Sequence, residues 1–390
     1  MTAVNILKTF EKVFGAGGSI GCFFAPGRVN LIGDHTDYCG GHVFSCALSR
    51  GSYGAIRRRA DRQILLASKA LGTDGIIEAS LDGLDKTRMP SWLVLPFNII
   101  RSFLAKGYTF DTGFEIVIET NLPTDSGLSF TASLDILTAV MLRDTFEFSD
   151  MDNQGLALLA SSSEETFGSS MCSLMDLLTS ATAVKDCALF LDSKKLHTEY
   201  VPLSLKDNCI VLTGSQIRHG NIRDILNQRR RECMKALKKF QSILHISELC
   251  DMNMDQFVSC KDVLMDETLT KRARHIISEN QRTIRANSVL KAGNIPNFGA
   301  LLNESHRSLK EDYEVTCQEI DLLVDLALKL PGVYGSRMTG KGFGGYTMSL
   351  VAADAVEEFR AKITSEYARL SWMDAETYIL SPNDGARRIM

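Results

Sequence analysis

One short segment near the N-terminus carries four polar side chains that could do chemistry. Residues 25–41, APGRVNLIGDHTDYCGG, place Arg28, Asp34, His35 and Asp37 among apolar neighbours. An arginine keeps its charge and presents a planar fork that suits a phosphate or carboxylate partner. The carboxylates and the imidazole add the acceptors and donors that a polyhydroxyl ligand requires, because each sugar hydroxyl both donates and accepts a hydrogen bond. We therefore interpret this segment as a ligand-facing surface and not as a loop of internal salt bridges.

A second segment, LPTDSGLSFTAS at residues 122–133, is a candidate phosphate loop. Its small residues stand between a predicted strand and a predicted helix, where backbone N–H groups and the helix dipole favour an anion. The hydroxyls of Ser129 and Thr131 can contact a phosphate or a metal. The segment matches neither of the common glycine-rich nucleotide motifs. Taken alone, an ordinary helix capped by Asp125 or Ser126 is the simpler explanation.

A third segment, GSRMTGKGFGGYTMSLV at residues 335–351, has glycine at four of the six positions 340–345. Each glycine costs roughly 0.5–1 kcal/mol of conformational entropy relative to alanine, and a plain hairpin does not require so many. The pattern predicts a close approach of this backbone to a ligand or to another loop.

Two further carboxylates, Glu164 and Asp176, lie in largely apolar or small-residue surroundings. A carboxylate in such a place must be paired or linked to a metal, or its pKa rises. Capping of a helix is the alternative explanation, and these residues alone do not decide between the two.

The composition limits the classes of function. The chain has 390 residues and a net charge of −4, so neither a nucleic-acid partner nor an anionic membrane surface is expected. Basic clusters occur at 57–59 and 229–231, and we interpret both as solvated faces of a helix or strand. The ten cysteines form no C-x-x-C pair and the seven histidines form no zinc-binding pattern. With no signal peptide and no apolar run of transmembrane length, a cytoplasmic chain with reduced thiols is expected.

Apolar periodicity predicts the elements that must position these segments. Strand patterns occupy residues 22–33, 52–68 as a pair, 114–120, 187–193, 208–215, 346–352 and 376–382. Helical patterns occupy residues 1–18, 91–108, the stretch after the candidate phosphate loop, 155–167, 223–244, 255–285, 297–310, 317–330 and 355–368. This is α+β organisation in two halves that join near 195–205. We place the domains at 1–200 and 201–390.

Together these segments resemble the galactokinase branch of the GHMP small-molecule kinases over nearly the whole chain. GRVNLIGDHTDYCGG resembles the family's sugar signature, GLSFTAS its phosphate loop and GSRMTGKGFGGYTMSLV its third glycine-rich motif. The resemblance implies an N-terminal α/β domain of the S5 domain 2-like type, a ferredoxin-like C-terminal α+β domain and an active site in the interdomain cleft. It also implies ATP-dependent phosphorylation of the anomeric C1 hydroxyl of galactose, giving galactose 1-phosphate and ADP, with Mg²⁺ as the metal.

The resemblance also assigns roles to individual residues. Asp176 and Arg28 fall on the catalytic aspartate and arginine of the family. The sugar-binding positions are Asp34, His35, Thr36, Asp37 and Ser173. The ATP-binding positions are Ser68, Asp125, Ser126, Gly127, Leu128, Ser129, Phe130 and Thr131, and the magnesium ligands are Thr131 and Glu164.

Several positions depart from the family pattern. Asp34 stands where a glutamate is usual, Ser173 replaces a glycine, and Leu226 falls where a sugar-contacting tyrosine is expected. Phe130 replaces a serine of the phosphate loop. Lys341 replaces a glycine, and it either contacts phosphate or points to solvent.

These departures leave three hypotheses about function. The first is galactose phosphorylation, the second is the same reaction on another hexose or an amino sugar, and the third is a non-catalytic sugar or ATP sensor. The expected partners are a small-molecule sugar and ATP, with the chain acting as a monomer or weak oligomer.

Overall fold

The chain forms two β-sheets with helices packed on them. The structure, a computed structural model, describes residues 1–72, 75–84, 91–123, 127–167, 172–217 and 222–390, of which 91, 164 and 165 are described by their backbone alone. The first sheet contains β1 (Gly21–Ile32), β2 (His42–Arg58), β3 (Gln63–Ala67), β4 (Ile77–Ser80), β5 (Phe114–Thr120), β6 (Cys187–Asp192), β7 (His197–Pro202) and β12 (Arg387–Arg388). The second sheet contains β8 (Asn208–Gly214), β9 (Val333–Thr339), β10 (Tyr346–Ala352) and β11 (Glu376–Ile379).

Eleven α-helices lie among the described residues. They are α1 (Ala3–Phe14), α2 (Val94–Ala105), α3 (Phe130–Thr145), α4 (Asn153–Phe167), α5 (Leu174–Thr182), α6 (Arg223–Gln241), α7 (Met254–Cys260), α8 (Glu267–Lys291), α9 (Ile295–Ser308), α10 (Gln318–Ala327) and α11 (Val356–Ser371). None of these described helices is both long and apolar enough to cross a membrane.

The first sheet runs in the order β12-β1-β2-β5-β3-β4, and β6 joins it through β2. Successive side chains of β5 point to opposite faces of the sheet, and each face packs against a separate apolar core. Phe114, Ile116 and Ile118 point into the core formed with α2, α3, α4 and α5, whereas Val117 joins the smaller core beneath α1. A strand with both faces buried in this way fixes its register, because a slip of one residue would exchange the two faces.

The second sheet runs in the order β11-β8-β10-β9, and all of its pairings are antiparallel. Ile210 and Leu212 of β8 pack toward α9 and toward Val29 and Leu31 of β1. Val211, between them, packs against α10 and α11. Strand β1 therefore lies at the junction of the two sheets, and the segment after it inherits that position.

Two features of the structure bear on the predicted division into domains at residue 200. The boundary at residue 200 falls inside β7, so the change from the first sheet to the second lies between β7 and β8. The last strand, β12, returns to the first sheet and pairs with β1.

The helix expected over 255–285 is wrong in its extent. The chain forms α7, then a 3₁₀ turn at Lys261–Leu264, and then α8. Met265 adopts a left-handed conformation with φ of 50°, and the Asp266 side chain accepts a hydrogen bond from the Leu269 amide. An N-cap of this kind starts a new helix, because its side chain satisfies an N–H group that has no partner within the helix.

Candidate active site

A cavity lies where the first segment, residues 25–41, meets the start of α5, the start of α6 and the glycine-rich loop at 340–345. Its lining includes Arg28 and Asp176 as well as the signature residues Asp34, His35 and Asp37. Four segments that are far apart in sequence therefore meet at one place.

Arg28 and Asp176 form a buried ion pair in this cavity. The Arg28 Nε and Nη2 atoms lie 2.6 Å from Asp176 Oδ1, and the two residues are 4% and 3% exposed. Arg28 Nη1 donates to the Gly127 carbonyl at 2.8 Å, and its backbone N–H donates to the Leu128 carbonyl at 3.2 Å. One arginine thus ties the carboxylate of α5 to the loop before α3.

Asp176 is also part of a helix cap. Its backbone N–H donates to Ser173 Oγ, and the Ser173 N–H donates to Asp176 Oδ2, each at 3.3 Å. This reciprocal arrangement is a capping box. The two explanations of Asp176 from the sequence, an ion pair and a helix cap, are therefore both correct. Ser173 lines the cavity while its hydroxyl accepts from the backbone.

The described residues of the loop before α3 combine a left-handed backbone with a helix start that lacks a side-chain cap. Gly127 has a φ of +77° and Ser129 a φ of 58°, both in the left-handed region. Ser129 is the N-cap of α3, so the expected cap by Asp125 or Ser126 is wrong, and residues 124–126 lie outside the described part of the chain. The Ser129 side chain accepts no hydrogen bond from the described first turn of α3. Helix N–H groups that lack a side-chain partner are suited to a phosphate.

The remaining phosphate-loop residues have different environments. Leu128 is 1% exposed, and Phe130 is partly buried between the two largest apolar cores. Thr131 is half-buried in the first turn of α3. Ser68 is buried after β3, where its hydroxyl accepts from the Leu71 amide at 3.2 Å.

The glycines of the loop at 340–345 allow a close approach to other loops, as predicted. A Cβ on Gly340 would lie 3.1 Å from the Gly127 carbonyl oxygen, and one on Gly342 would lie 2.1 Å from the Val315 carbonyl oxygen. Both glycines have a φ of +89°. Side chains at these two positions would push the loop away from its neighbours.

The signature segment contains a buried polar network. Asp34 accepts hydrogen bonds from Asn30 Nδ2 and from Arg337, which is 0% exposed. Burial raises the pKa of the Asp34 carboxyl, and the charge of Arg337 opposes this rise. Asp34 lines the cavity, but both of its oxygens already have protein partners. Arg337 therefore restrains the position of the Asp34 carboxylate in the wall of the cavity.

His35 and Asp37 also line the cavity, and they are less tightly bonded to protein groups than Asp34 is. His35 has a φ of 69° and contacts the Tyr38 hydroxyl through Nδ1 at 3.1 Å, while Nε2 has no partner among the described residues. Burial lowers the pKa of His35 well below its usual range, so the ring is neutral at neutral pH. Burial and then the charge of Asp176 raise the pKa of the Asp37 carboxyl to about 6.

Thr36 does not fit the expectation of direct sugar contact through its side chain. It is 0% exposed, and its hydroxyl lies 2.9 Å from the Gly33 carbonyl oxygen and 2.7 Å from that of His42. The side chain instead closes the turn between β1 and β2.

Helix α6 brings two residues to the cavity, Leu226 and Arg230. The interpretation of 229–231 as one solvated face is therefore wrong for two of its residues. Arg229 donates to the Tyr313 carbonyl at 2.9 Å, Arg230 lines the cavity, and only Arg231 is exposed. The sequence signal that could have identified Arg230 is its spacing of four residues from Leu226, which puts both on one helix face.

Lys341 also lines the cavity, directly after Gly340. In the basic cluster at 57–59, Arg57 and Arg59 pair with the buried Glu115, and only Arg58, which pairs with Asp111, is exposed.

The two candidate magnesium ligands lie on helices that pack against each other. Thr131 lies on α3 and the backbone of Glu164 lies on α4, which packs against α3, but the Glu164 side chain lies outside the described residues. Among the described residues no group of three or more His, Cys, Asp or Glu is arranged to hold a metal. A hydroxyl and a carboxylate are hard oxygen donors, and such a pair suits Mg²⁺ that shares its remaining positions with phosphate and water.

Comparison with known proteins agrees with this geometry. Residues 8–58 match the family model for the galactokinase galactose-binding signature. Residues 95–183 and 286–369 match the models for the N-terminal and C-terminal domains of GHMP kinases. These models cover three of the four segments that meet at the cavity, and the start of α6 lies outside them.

Similar proteins cover the whole chain. The galactokinase of Clostridium acetobutylicum is 41% identical over 390 residues, which is 100% of both chains. The galactokinase of Bacillus subtilis is 38% identical over 380 residues, covering 97% of each. A crystal structure of Lactococcus lactis galactokinase complexed with galactose matches with a TM-score of 0.95 at 37% identity, covering 99% of this chain and 100% of that one. The mevalonate kinase of Methanococcus jannaschii, at 18% identity and a TM-score of 0.64, shares the fold.

Proposed function

The chain belongs to the galactokinase family of the GHMP kinases, and from this premise we propose that it transfers the terminal phosphoryl group of ATP to the anomeric C1 hydroxyl of galactose. The products are galactose 1-phosphate and ADP. The observation that carries the proposal is the buried Arg28–Asp176 pair, which lines the cavity and is bonded to the Gly127 carbonyl of the phosphate loop. Such a pair brings an acceptor for the hydroxyl proton and a cation for the phosphoryl group within reach of one another.

In this proposal Asp176 orients the C1 hydroxyl of the sugar and accepts its proton. Arg28 holds the Asp176 carboxylate in position through the two contacts of its Nε and Nη2 atoms with Oδ1. Arg28 also faces the side on which negative charge accumulates as the phosphoryl group moves. Phosphoryl transfer leaves little covalent work for a protein, so positioning and charge neutralisation dominate.

The phosphates of ATP are assigned to the loop at 125–131 and the N-terminus of α3. The uncapped first turn of α3 supports this assignment, as do the left-handed Gly127 and Ser129. Thr131 and Glu164 are the residues that would hold Mg²⁺, which neutralises phosphate charge when bound. The Trp92 indole Nε1, buried with no partner among the described residues, marks a place near α2 where a nucleotide base can find a donor.

The sugar is assigned to the part of the cavity lined by Asp34, His35, Asp37 and Ser173. The neutral His35 ring offers Nε2 and the Asp37 carboxylate offers two acceptors. These groups can bond several hydroxyls of one pyranose at once. The alternatives of another hexose or a sensor gain no support from the relatives, which are galactokinases.

The proposal is tested by incubating the purified chain with MgATP and a panel of hexoses that includes galactose, glucose, mannose and N-acetylgalactosamine. We expect ADP release with galactose well above that with the other sugars, and a product phosphorylated at C1. Turnover only with another sugar would contradict the choice of galactose. Binding of galactose without turnover would contradict the assignment as an enzyme.

A further inference from the structure

Arg230 enters the cavity from α6, one turn after Leu226. Its guanidinium carbon lies 4.9 Å from the centre of the Tyr38 ring, a cation–π distance that holds the group over the ring. Among the described residues Arg230 makes no hydrogen bond and no ion pair, in contrast to Arg229 of the same helix. The donors of its guanidinium are thus uncommitted beside a polar cavity.

Asp37 lines the same cavity from the signature segment. The Asp37 carboxylate and the Arg230 guanidinium both belong to the described part of the chain. Their charged atoms are farther apart than 4.0 Å, so they do not form an ion pair. The two charges nevertheless interact, since burial and Asp176 raise the pKa of the Asp37 carboxyl while Arg230 lowers it. An acceptor and a donor that face one cavity without touching leave room for a group that bonds to both.

A sugar hydroxyl is such a group, because it donates one hydrogen bond and accepts others. We propose that Arg230 is a further sugar-binding residue and that one hydroxyl of the bound galactose lies between its guanidinium and the Asp37 carboxylate. This inference rests on the proposed function of the same cavity. Leu226, one turn earlier on the same face, has no polar atom in its side chain, so Arg230 is the residue of α6 that supplies a hydrogen bond to the sugar.

The first experiment compares Arg230→Gln and Arg230→Lys with the wild-type chain. Galactose affinity is measured by calorimetry, and KM and kcat are measured with saturating MgATP. We expect Arg230→Gln to raise both Kd and KM for galactose about tenfold or more, as for a lost hydrogen bond to a charged group. The KM for ATP stays unchanged, and Arg230→Lys, which keeps the charge without the fork, gives an intermediate value. The matched control is Arg231→Gln, at the exposed neighbouring position, which leaves galactose affinity unchanged.

The second experiment identifies the hydroxyl with galactose analogues that each lack one hydroxyl group. The wild-type chain loses affinity for every analogue that lacks a bonded hydroxyl. In Arg230→Gln, removal of one particular hydroxyl has a much smaller effect than in the wild-type chain, since its partner is already absent. Equal losses in both proteins for every analogue, or unchanged galactose affinity in a folded Arg230→Gln, would overturn the inference.

The two proposals fail in different ways. If the wild-type chain neither binds nor phosphorylates galactose, the proposed function is wrong and the inference falls with it. If the wild-type chain phosphorylates galactose and Arg230→Gln has the same Kd and KM, the proposed function stands and only the role of Arg230 is refuted.

Discussion

Arg28 holds Asp176 through two nitrogen atoms, each 2.6 Å from Oδ1, and uses its third nitrogen on the Gly127 carbonyl at 2.8 Å. The cap with Ser173 restrains the other oxygen of Asp176, Oδ2, at 3.3 Å. The carboxylate is therefore fixed from two sides before any ligand arrives. A group fixed in this way needs little rearrangement when the substrate binds.

The first prediction concerns Asp176→Asn. An amide cannot accept the C1 proton, so we expect kcat to fall by about 10²–10⁴-fold, the usual contribution of a positioned proton acceptor. Nucleotide binding, measured by calorimetry, should remain, because the phosphate loop is unchanged. Full turnover in the variant would exclude the proposed role of Asp176.

The substitution also removes the negative partner of a buried arginine, which lowers stability. Kinetic measurements therefore require a temperature at which circular dichroism shows the variant folded. Asp374→Asn, at an exposed position, is the control for the effect of replacing a carboxylate by an amide.

The second prediction concerns pH. Burial and the charge of Asp176 raise the pKa of the Asp37 carboxyl to about 6, against the opposing charge of Arg230, and Asp34 adds to the rise. In the proposed site the carboxylate would accept hydrogen bonds from the sugar, and it becomes protonated as the pH falls through about 6. The KM for galactose should therefore rise on the acid side, approaching about tenfold per pH unit. Lowering the pH without a change in galactose KM would argue against Asp37 as a sugar ligand.

Asp37→Asn tests the assignment of this acid limb. The amide does not titrate, so the variant should show a raised galactose KM that no longer depends on pH near 6. Measuring the KM for ATP over the same range separates this effect from a general loss of the folded state.

Much of the fold could be predicted from local patterns. The alternation of FEIVIET predicts β5 to the residue, Phe114–Thr120, because its two faces meet two apolar cores. The apolar periodicity of 223–244 predicts α6, which begins at Arg223 as expected. Strand β7 and the first half of β2 were not predicted, since pairing with distant strands decides their structure.

The candidate site could be predicted where single residues carry the signal. Arg28, Asp34, His35, Asp37 and Asp176 do line one cavity. The buried partner of Asp34, Arg337, was not predicted, because it is separated from Asp34 by 303 residues and nothing local indicates the pairing. Arg230 was missed for a different reason, since three consecutive arginines suggest a solvated surface when the helix face is not considered.

The third prediction concerns Lys341, for which the sequence left two possibilities. Lys341 lines the cavity and follows Gly340, where a Cβ would lie 3.1 Å from the Gly127 carbonyl oxygen of the phosphate loop. With the ATP phosphates at the proposed loop, an ammonium group there would contact them, so Lys341→Ala should raise the KM for ATP by several-fold, about 1 kcal/mol. Galactose affinity, measured by calorimetry without nucleotide, should not change. Lys329→Ala, at an exposed position after α10, should leave both values at the wild-type level. An unchanged KM for ATP in Lys341→Ala would mean that the side chain serves no phosphate.

The last prediction concerns the network behind the sugar site. Asp34 is 5% exposed and Arg337 is 0% exposed, and their ion pair joins the signature segment to β9. Asp34→Ala would leave the Arg337 guanidinium buried without a carboxylate, which costs about 3–5 kcal/mol of the free energy of unfolding. Urea denaturation at neutral pH measures this loss, and Asp374→Ala, exposed on the surface, should lie within about 0.5 kcal/mol of the wild-type chain. Surface ion pairs contribute less than about 1 kcal/mol to stability. A loss this small in Asp34→Ala would mean that water reaches Arg337 and that the ion pair does not hold the signature segment in place.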